Sequence, residues 1–341
     1  MSKKILVTGG TGYIGSHTVV ELQNAGFEVV IADDLSNSKL EVVDAIEKIT
    51  GRRPVFEKTD LADAVETRNL FDKHKDIVAI IHFAAYKAVG ESVQKPLEYY
   101  QNNLNSLINI LDNMRRLQIG SLVFSSSCTV YGQPDQLPVT EKTPRKPAES
   151  PYGNTKAICE DIMRDFCKAN PDINCIALRY FNPIGAHPTA LIGELPLGVP
   201  QNLVPFITQT AAGLRKELSI FGDDYDTPDG TAIRDYINVV DLSEAHVVAI
   251  NRLIKKNQKA NYEFFNVGTG MGLSVMQLVK TFMKVTGVNL LYTIAPRRAG
   301  DIEKIWADTT FSNKELGWEA KKTVEETLQS AWEWEKNVRG I

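Results

Sequence analysis

The segment Thr8-Gly9-Gly10-Thr11-Gly12-Tyr13-Ile14-Gly15 joins a short apolar run to a helical pattern that stops at Gly26. A chain that turns through glycines from a strand straight into a helix has few folds open to it. Glycines there permit the tight turn, the close approach of a pyrophosphate and the packing of helix on strand. The helix N-terminus adds amide donors and a dipole that favours phosphate. Gly10, Gly12 and Gly15 satisfy G-x-G-x-x-G, and Gly9, Gly12 and Gly15 equally satisfy G-x-x-G-x-x-G. Alone the motif is weak, but between a strand and a helix it reads as a dinucleotide-binding unit. Asp33 ends the second strand pattern, 18 residues past Gly15. A carboxylate there accepts the adenosine ribose hydroxyls and repels a 2′-phosphate, so NAD is expected rather than NADP.

The rest of the first half alternates β-rich runs with helical patterns. Strands are expected at 4–8, 28–32, 55–58, 79–83, 121–125 and 175–179. Their near-continuous apolar character suits a parallel sheet buried on both faces, hence a Rossmann-type, doubly wound α/β fold. Leu97, Tyr100, Leu104, Leu107, Leu111 and Met114 form one helical stripe, and Ile158, Ile162, Met163 and Phe166 lie on a second helix after Pro151. The 92–117 and 152–168 helices could form a self-complementary homodimer face, or both could be core helices. From Asn182 onward Pro and Gly become frequent, which marks a change to a smaller C-terminal α/β region. The expected division is 1–181 for cofactor binding and 182–341 for substrate binding, with some later segments packing back on the first part. Thr323 and Glu326 form a capping-box pattern ahead of the last helix.

Composition removes several classes of function. Lysine and arginine number 38 against 42 acidic residues, a formal net charge of −4, so nothing draws the chain to nucleic acid or an anionic membrane. No apolar run approaches the length of a membrane span, and the opening residues show no signal-peptide core, so a cytoplasmic protein is expected. Cys128, Cys159, Cys167 and Cys175 contain no C-x-x-C pair, the histidines no H-E-x-x-H, and the acidic stretch at 223–230 lacks the ligand order of a calcium loop. No metal is expected.

Chemistry enters with Tyr152 and Lys156. Four residues apart on a helix, they share one face, so the ammonium can lie near the phenol. A free tyrosine ionises near about 10, too high for a base at neutrality, and a fixed cation favours the phenolate. The serine run Ser125-Ser126-Ser127 stands upstream at the end of a strand, where Ser127 can hold the substrate oxygen whose proton moves.

With the glycine loop, Asp33, Ser127, Tyr152 and Lys156 in this order, the chain resembles the extended short-chain dehydrogenase/reductase family. Longer stretches resemble the UDP-glucose 4-epimerases within it: FAAYKAVGES at 83–92, SSSCTVYG at 125–132, RYFNPIGAH at 179–187, PQNL at 200–203, RDY at 234–236 and RRAGD at 297–301. The resemblance implies that Tyr13 and Ile14 meet the pyrophosphate, and that Asp33, Asn37 and Ser38 meet the adenosine ribose and a nearby phosphate. Asp60 and Leu61 would flank the adenine. Phe83, Ala84, Ala85 and Lys87 would line the middle of the cofactor, Asn102, Ser125 and Tyr180 would bond or pack nearby, and Phe181 would lie at the nicotinamide. Asn182, Asn202, Leu203 and Phe221 would contact a UDP-hexose. Arg234 and Arg298 would hold its diphosphate and Asp301 a nucleoside hydroxyl, although each arginine could equally pair with a neighbouring acid at the surface.

The implied reaction, part of galactose metabolism, is epimerisation with firmly bound NAD. The sugar would be oxidised at C4, the 4-keto sugar would turn about its diphosphate linkage, and hydride would return to the opposite face. A nucleotide-sugar dehydratase would need an acid pair after the serine, where Cys128 and Thr129 stand. Epimerases of related UDP-sugars, and a non-catalytic NAD sensor on the same fold, are the remaining alternatives. Ile305 occupies a position that is small in relatives taking N-acetylated sugars and tyrosine in stricter ones, so it is intermediate.

Overall fold

A computed structural model describes residues 3–297 and 302–341. The first half forms β1 (Lys4–Thr8), β2 (Glu28–Asp33), β3 (Val55–Lys58), β4 (Ile77–His82), β5 (Ser121–Ser127) and β6 (Asn174–Tyr180). The later chain adds β7 (Asn182–Ile184), β8 (Leu218–Phe221), β9 (Ile233–Asn238), β10 (Tyr262–Val267), β11 (Gly272–Ser274), β12 (Tyr292–Ala295) and β13 (Lys304–Ile305). Seven strands make one parallel sheet in the order β10-β6-β5-β4-β1-β2-β3. The seventh strand, β10, comes from the second half of the chain and pairs with β6.

Helices α1 (Tyr13–Asn24), α2 (Glu41–Thr50) and α8 (Val239–Ile254) cover one face of this sheet, while α3 (Ala64–Lys73), α5 (Pro96–Leu117) and α6 (Pro151–Ala169) cover the other. Side chains alternate along each strand: Ile5 and Val7 enter the first core, and Leu6 enters the second. Double burial therefore explains why these strands read as unbroken apolar runs. Helices α7 (Leu203–Ala211), α9 (Val275–Thr286) and α11 (Val324–Arg339) enclose a third, smaller core with β7, β8 and β9. There β9 is the hub of a four-stranded sheet flanked by β11, β13 and β7, and β8 pairs with β12. The short α10 (Thr310–Leu316) precedes α11, which begins with the expected Thr323–Glu326 capping box.

Two expectations change at the 92–117 helix. It is two helices, a short α4 (Val89–Gln94) and α5, because Pro96 takes the first position of α5 and drives Lys95 out of helical geometry (φ −129°, ψ 55°). The apolar stripe is buried only in its second part, at Leu107, Leu111 and Met114, while Leu97 is 70% exposed. A repeat averaging 3.4 residues slips against a straight helix of 3.6, so Tyr99 and Ile110 face inward instead. No helix among the described residues is long and apolar enough to cross a membrane.

Candidate active site

Parallel strands put all their carboxyl ends on one edge, and there the sheet assembles the glycine loop, Asp33, Phe83–Ala85, Ser125–Ser127 and Tyr180–Phe181. Gly9 has φ +68°, and a Cβ there would lie 2.8 Å from the Ala84 amide nitrogen. At Gly15 a Cβ would meet the Gly9 carbonyl oxygen at 2.1 Å, whereas at Gly10 it would strike the Ile31 side chain at 2.8 Å. Gly9 and Gly15 thus shape the turn, and Gly10 makes room for strand packing. Gly12 caps α1 without any side-chain bond, which leaves the first amides of the helix, Tyr13 and Ile14 among them, free to receive a phosphate. The Tyr13 hydroxyl donates instead to the Gly185 carbonyl at 2.7 Å.

Asp33 is buried beside this loop. Its Oδ2 accepts from the Thr11 amide at 3.2 Å, and its Oδ1 accepts from the Ser38 hydroxyl and the Leu35 amide, each at 3.0 Å. Oδ2, with a single donor, keeps a lone pair for a ribose hydroxyl. Asn37 and Asp60 are exposed, whereas Leu61 buries its side chain under α5 and its carbonyl accepts from Thr67 Oγ1 and Asn109 Nδ2. These features fit NAD: a loop too tight for any Cβ, an uncapped helix start and an oriented acid.

Tyr152 owes its place to the start of α6, where Ser150 caps Gly153 and Pro151 takes the first helical position. Burial pushes the Tyr152 phenol up to about 12, against the pull of the neighbouring Ser127 hydroxyl, and nearby Cys128 adds to the rise. Lys156 is 3% exposed. Its Nζ donates to the Ser125 carbonyl at 2.7 Å and stands 5.9 Å from the Tyr152 ring centroid. Helical spacing puts both on one face, as expected, but the carbonyl is a better acceptor for a buried ammonium than a neutral phenol. Burial lowers Lys156 to about 8, with Cys159 and Glu160 opposing. Ser125 Oγ is hydrogen-bonded to the Tyr180 hydroxyl. Phe181 packs with Cys128 and Ile305 in one buried cluster.

On the side expected for substrate, Asn182 lies on β7, and Asn202 precedes α7, whose first residue is Leu203. Phe221 ends β8 and is 38% exposed. Arg234, on β9, donates to the Ile233 carbonyl at 2.8 Å, and its charge draws the Cys128 thiol down while burial raises it to about 12. Its neighbour Asp235 does not pair with it: that buried carboxylate takes the Thr269 amide and hydroxyl at 2.9 and 2.7 Å. Arg298 and Asp301 lie outside the described residues.

Three groups escaped sequence reasoning. Asn103, rather than Asn102, braces the site: its Nδ2 donates to the Tyr86 carbonyl and to Thr155 Oγ1, each at 3.0 Å, while Asn102 donates to Asn103 Oδ1 at 3.0 Å. Glu194 accepts from Asn202 Nδ2 at 2.5 Å and lies 3.5 Å from Lys87 Nζ, joining a residue expected at the cofactor to one expected at the substrate. Glu160 and Arg179 form a buried pair behind the serine run. The one available signal was Glu160 itself, a helical turn after Lys156.

The family model described as GDP-mannose 4,6 dehydratase matches residues 6–331. A UDP-glucose 4-epimerase of Yersinia enterocolitica is 49% identical over 332 residues, covering 97% of each chain. One of Bacillus subtilis is 48% identical over 337 residues and 98% of each chain. Among solved structures, the Stenotrophomonas maltophila UDP-glucose-4-epimerase with bound NAD and formylated UDP-arabinopyranose superposes with a TM-score of 0.95, at 45% identity over 99% of both chains. The Bifidobacterium longum enzyme in complex with NAD+ and UDP gives 0.94 at 44% identity, covering 99% of this chain and 100% of that one. Full-length likeness of sequence and structure agrees with the site, and the chain belongs to the UDP-glucose 4-epimerase family.

Proposed function

We propose that this enzyme interconverts UDP-glucose and UDP-galactose at C4, with NAD held through the whole cycle. The observation that carries the reading is the meeting of Ser127 at the end of β5 with Tyr152 at the start of α6, with Lys156 tied to the Ser125 carbonyl behind them. NAD, when bound, supplies a reversible hydride acceptor. The Gly9–Gly15 loop and the α1 amides would hold its pyrophosphate, Asp33 its ribose, and Phe181 would lie on the nicotinamide side. Tyr152 takes the proton from the sugar 4-hydroxyl while Ser127 orients that oxygen, and Tyr152 gives the proton back after the 4-keto sugar has turned. Arg234, with Arg298 and Asp301, would anchor the nucleotide end so that only the sugar moves. Cys128 and Thr129 offer no acid at the position where water elimination needs one, which favours epimerisation over dehydration.

The test is incubation of the purified enzyme with UDP-galactose, UDP-N-acetylglucosamine, UDP-xylose and UDP-glucuronate, products being resolved by NMR. Conversion of UDP-galactose to UDP-glucose is expected to be fastest. Preference for another sugar would overturn the substrate, and no conversion at all would overturn the activity.

The oligomer belongs to the same reading. Val93, Leu97 and Ile108 are 62%, 70% and 47% exposed on α4 and α5, an apolar face that supports a homodimer through α5 and α6. Ile108→Glu should give a monomer by analytical ultracentrifugation, and a wild type that sediments as a monomer would end this part. Four free, buried cysteines suit a reducing compartment, in keeping with the cytoplasm.

A further inference from the structure

We propose that the buried Glu160–Arg179 pair is a positioning device for the reaction: it fastens the helix bearing Tyr152 and Lys156 to the strands bearing Ser127 and Tyr180, and its charges set the field behind Lys156. The inference rests on Tyr152 and Lys156 carrying the proposed epimerisation.

Three elements meet at the pair. Glu160 is on α6, one turn beyond Lys156. Arg179 is on β6 and is the register partner of Ser126 on β5. Because side chains alternate along a strand, Ser126 and Arg179 face α6, whereas Ser125, Ser127 and Tyr180 point the other way. Glu160 is 2% exposed and Arg179 4%. The guanidinium forks onto the carboxylate, Nε to Oε1 at 2.8 Å and Nη2 to Oε2 at 2.5 Å. Ser126 Oγ donates to the same Oε1 at 2.5 Å. The remaining Arg179 nitrogen donates to the Tyr131 hydroxyl at 3.0 Å, and the guanidinium plane lies 4.0 Å from the Phe264 ring centroid. Each member therefore sits within one residue, or one helical turn, of a group that handles the substrate or cofactor. A buried ion pair adds little to stability over apolar side chains of the same shape, so its value here is the geometry it dictates.

The electrostatic part follows from what surrounds Lys156. Its own helix presents Tyr152, Cys159 and Glu160; β4 presents His82; β5 presents the Ser125 carbonyl and the Phe124 ring; β6 presents Arg179 behind Glu160. Burial keeps His82 neutral, pushed down to about 3, and keeps Cys159 a thiol, pushed up to about 12. Across the working range the permanent charges behind the ammonium are thus Glu160, Arg179 and Arg145, whose Nη1 stands 3.6 Å from Glu160 Oε2. Removing the acid leaves bare cations behind Lys156.

The test uses the NAD-loaded enzyme with Glu160→Gln and Arg179→Lys, wild type being run alongside. In Glu160→Gln, kcat for UDP-galactose should fall about 10- to 100-fold, as for a small misplacement of reacting groups, with KM within about threefold of wild type. The pH at which its kcat stops rising should move lower, because the unpaired Arg179 disfavours protonated Lys156. Arg179→Lys keeps the charge but cannot make the fork, so kcat should fall with that break in the profile in place. Wild-type kcat and pH profile in either folded, NAD-loaded variant would overturn the proposal, and so would a loss confined to KM. If Glu160→Gln does not fold, the kcat of Arg179→Lys decides. A wild type that does not epimerise would instead defeat the proposed function and leave the pair as architecture.

Discussion

Lys156 gives its ammonium to the Ser125 carbonyl at 2.7 Å, while the Tyr152 ring centroid stands 5.9 Å away. The lysine is thus first a tie between α6 and β5 and only then an electrostatic neighbour of the phenol. Tyr152, pushed up to about 12 by burial, is almost wholly protonated near neutrality, so only its small ionised fraction can take a proton.

Tyr152→Phe should lower kcat by about 10²–10⁴-fold, the usual worth of a positioned proton-transfer group. NAD released on denaturation should stay equimolar with the chain. Turnover at the wild-type rate would remove Tyr152 from the mechanism.

The pH profile of the wild type should rise and then flatten. On the acid side kcat rises with pH as the phenol ionises. Lys156 is lowered to about 8, so above that pH the loss of its charge offsets the continuing ionisation of the phenol, and kcat should level off there. A rate that keeps climbing well past pH 8 would mean that the lysine charge plays no part.

Gly15→Ala should be isolated with little NAD. A Cβ at that position would lie 2.1 Å from the Gly9 carbonyl oxygen, so loop and helix must part, at a cost above about 1 kcal/mol. Titration of NAD by isothermal calorimetry should show at least about tenfold weaker binding. Unchanged affinity would mean that the loop yields more easily than its packing indicates.

Ile305 is 1% exposed and shares a cluster with Phe181 and Cys128. Ile305→Gly should raise the rate on UDP-N-acetylglucosamine relative to UDP-glucose by about 10-fold or more, and Ile305→Tyr should reduce it, as differences of a few methylene volumes do in closed pockets. Equal ratios for all three forms would place the C2 substituent elsewhere.

Acid should destabilise the fold through its histidines. Burial pushes His17 and His82 down to about 3 and His246 to about 4, whereas an unfolded chain titrates them near about 6.5. Between those values the unfolded state binds more protons, so stability falls as pH falls. The melting temperature should decline from pH 7 to pH 4, and His246→Gln should flatten that slope. A melting temperature independent of pH over this interval would contradict the assignment.

Much of this was legible in the sequence, for physical reasons that differ from part to part. The strands were legible because burial on two faces leaves apolar runs that little else produces. Gly9, Asp33, Ser127 and Tyr152 were legible because each sits at the carboxyl end of such a strand or at the start of the helix after it. The Glu160–Arg179 pair was not: an acid on a helix and a base on a strand 19 positions later each look like surface residues until the register of β5 against β6 brings Ser126 between them. Glu194 stayed hidden in the same way, inside an irregular stretch with no period to read. The exposed Leu97 escaped because a repeat near 3.4 looks continuous on paper and rotates in space.

The insertion of β10 beside β6 also governs how the molecule can be made. A nascent chain that has reached residue 181 holds every strand of the cofactor-binding sheet except its edge, and β6 carries a row of open amides and carbonyls beside Arg179 and Tyr180. Synthesis must run on through residue 267 before that edge closes. The N-terminal half therefore leaves the ribosome as a sticky intermediate, and a chaperone holding it during that interval would act on yield without touching catalysis.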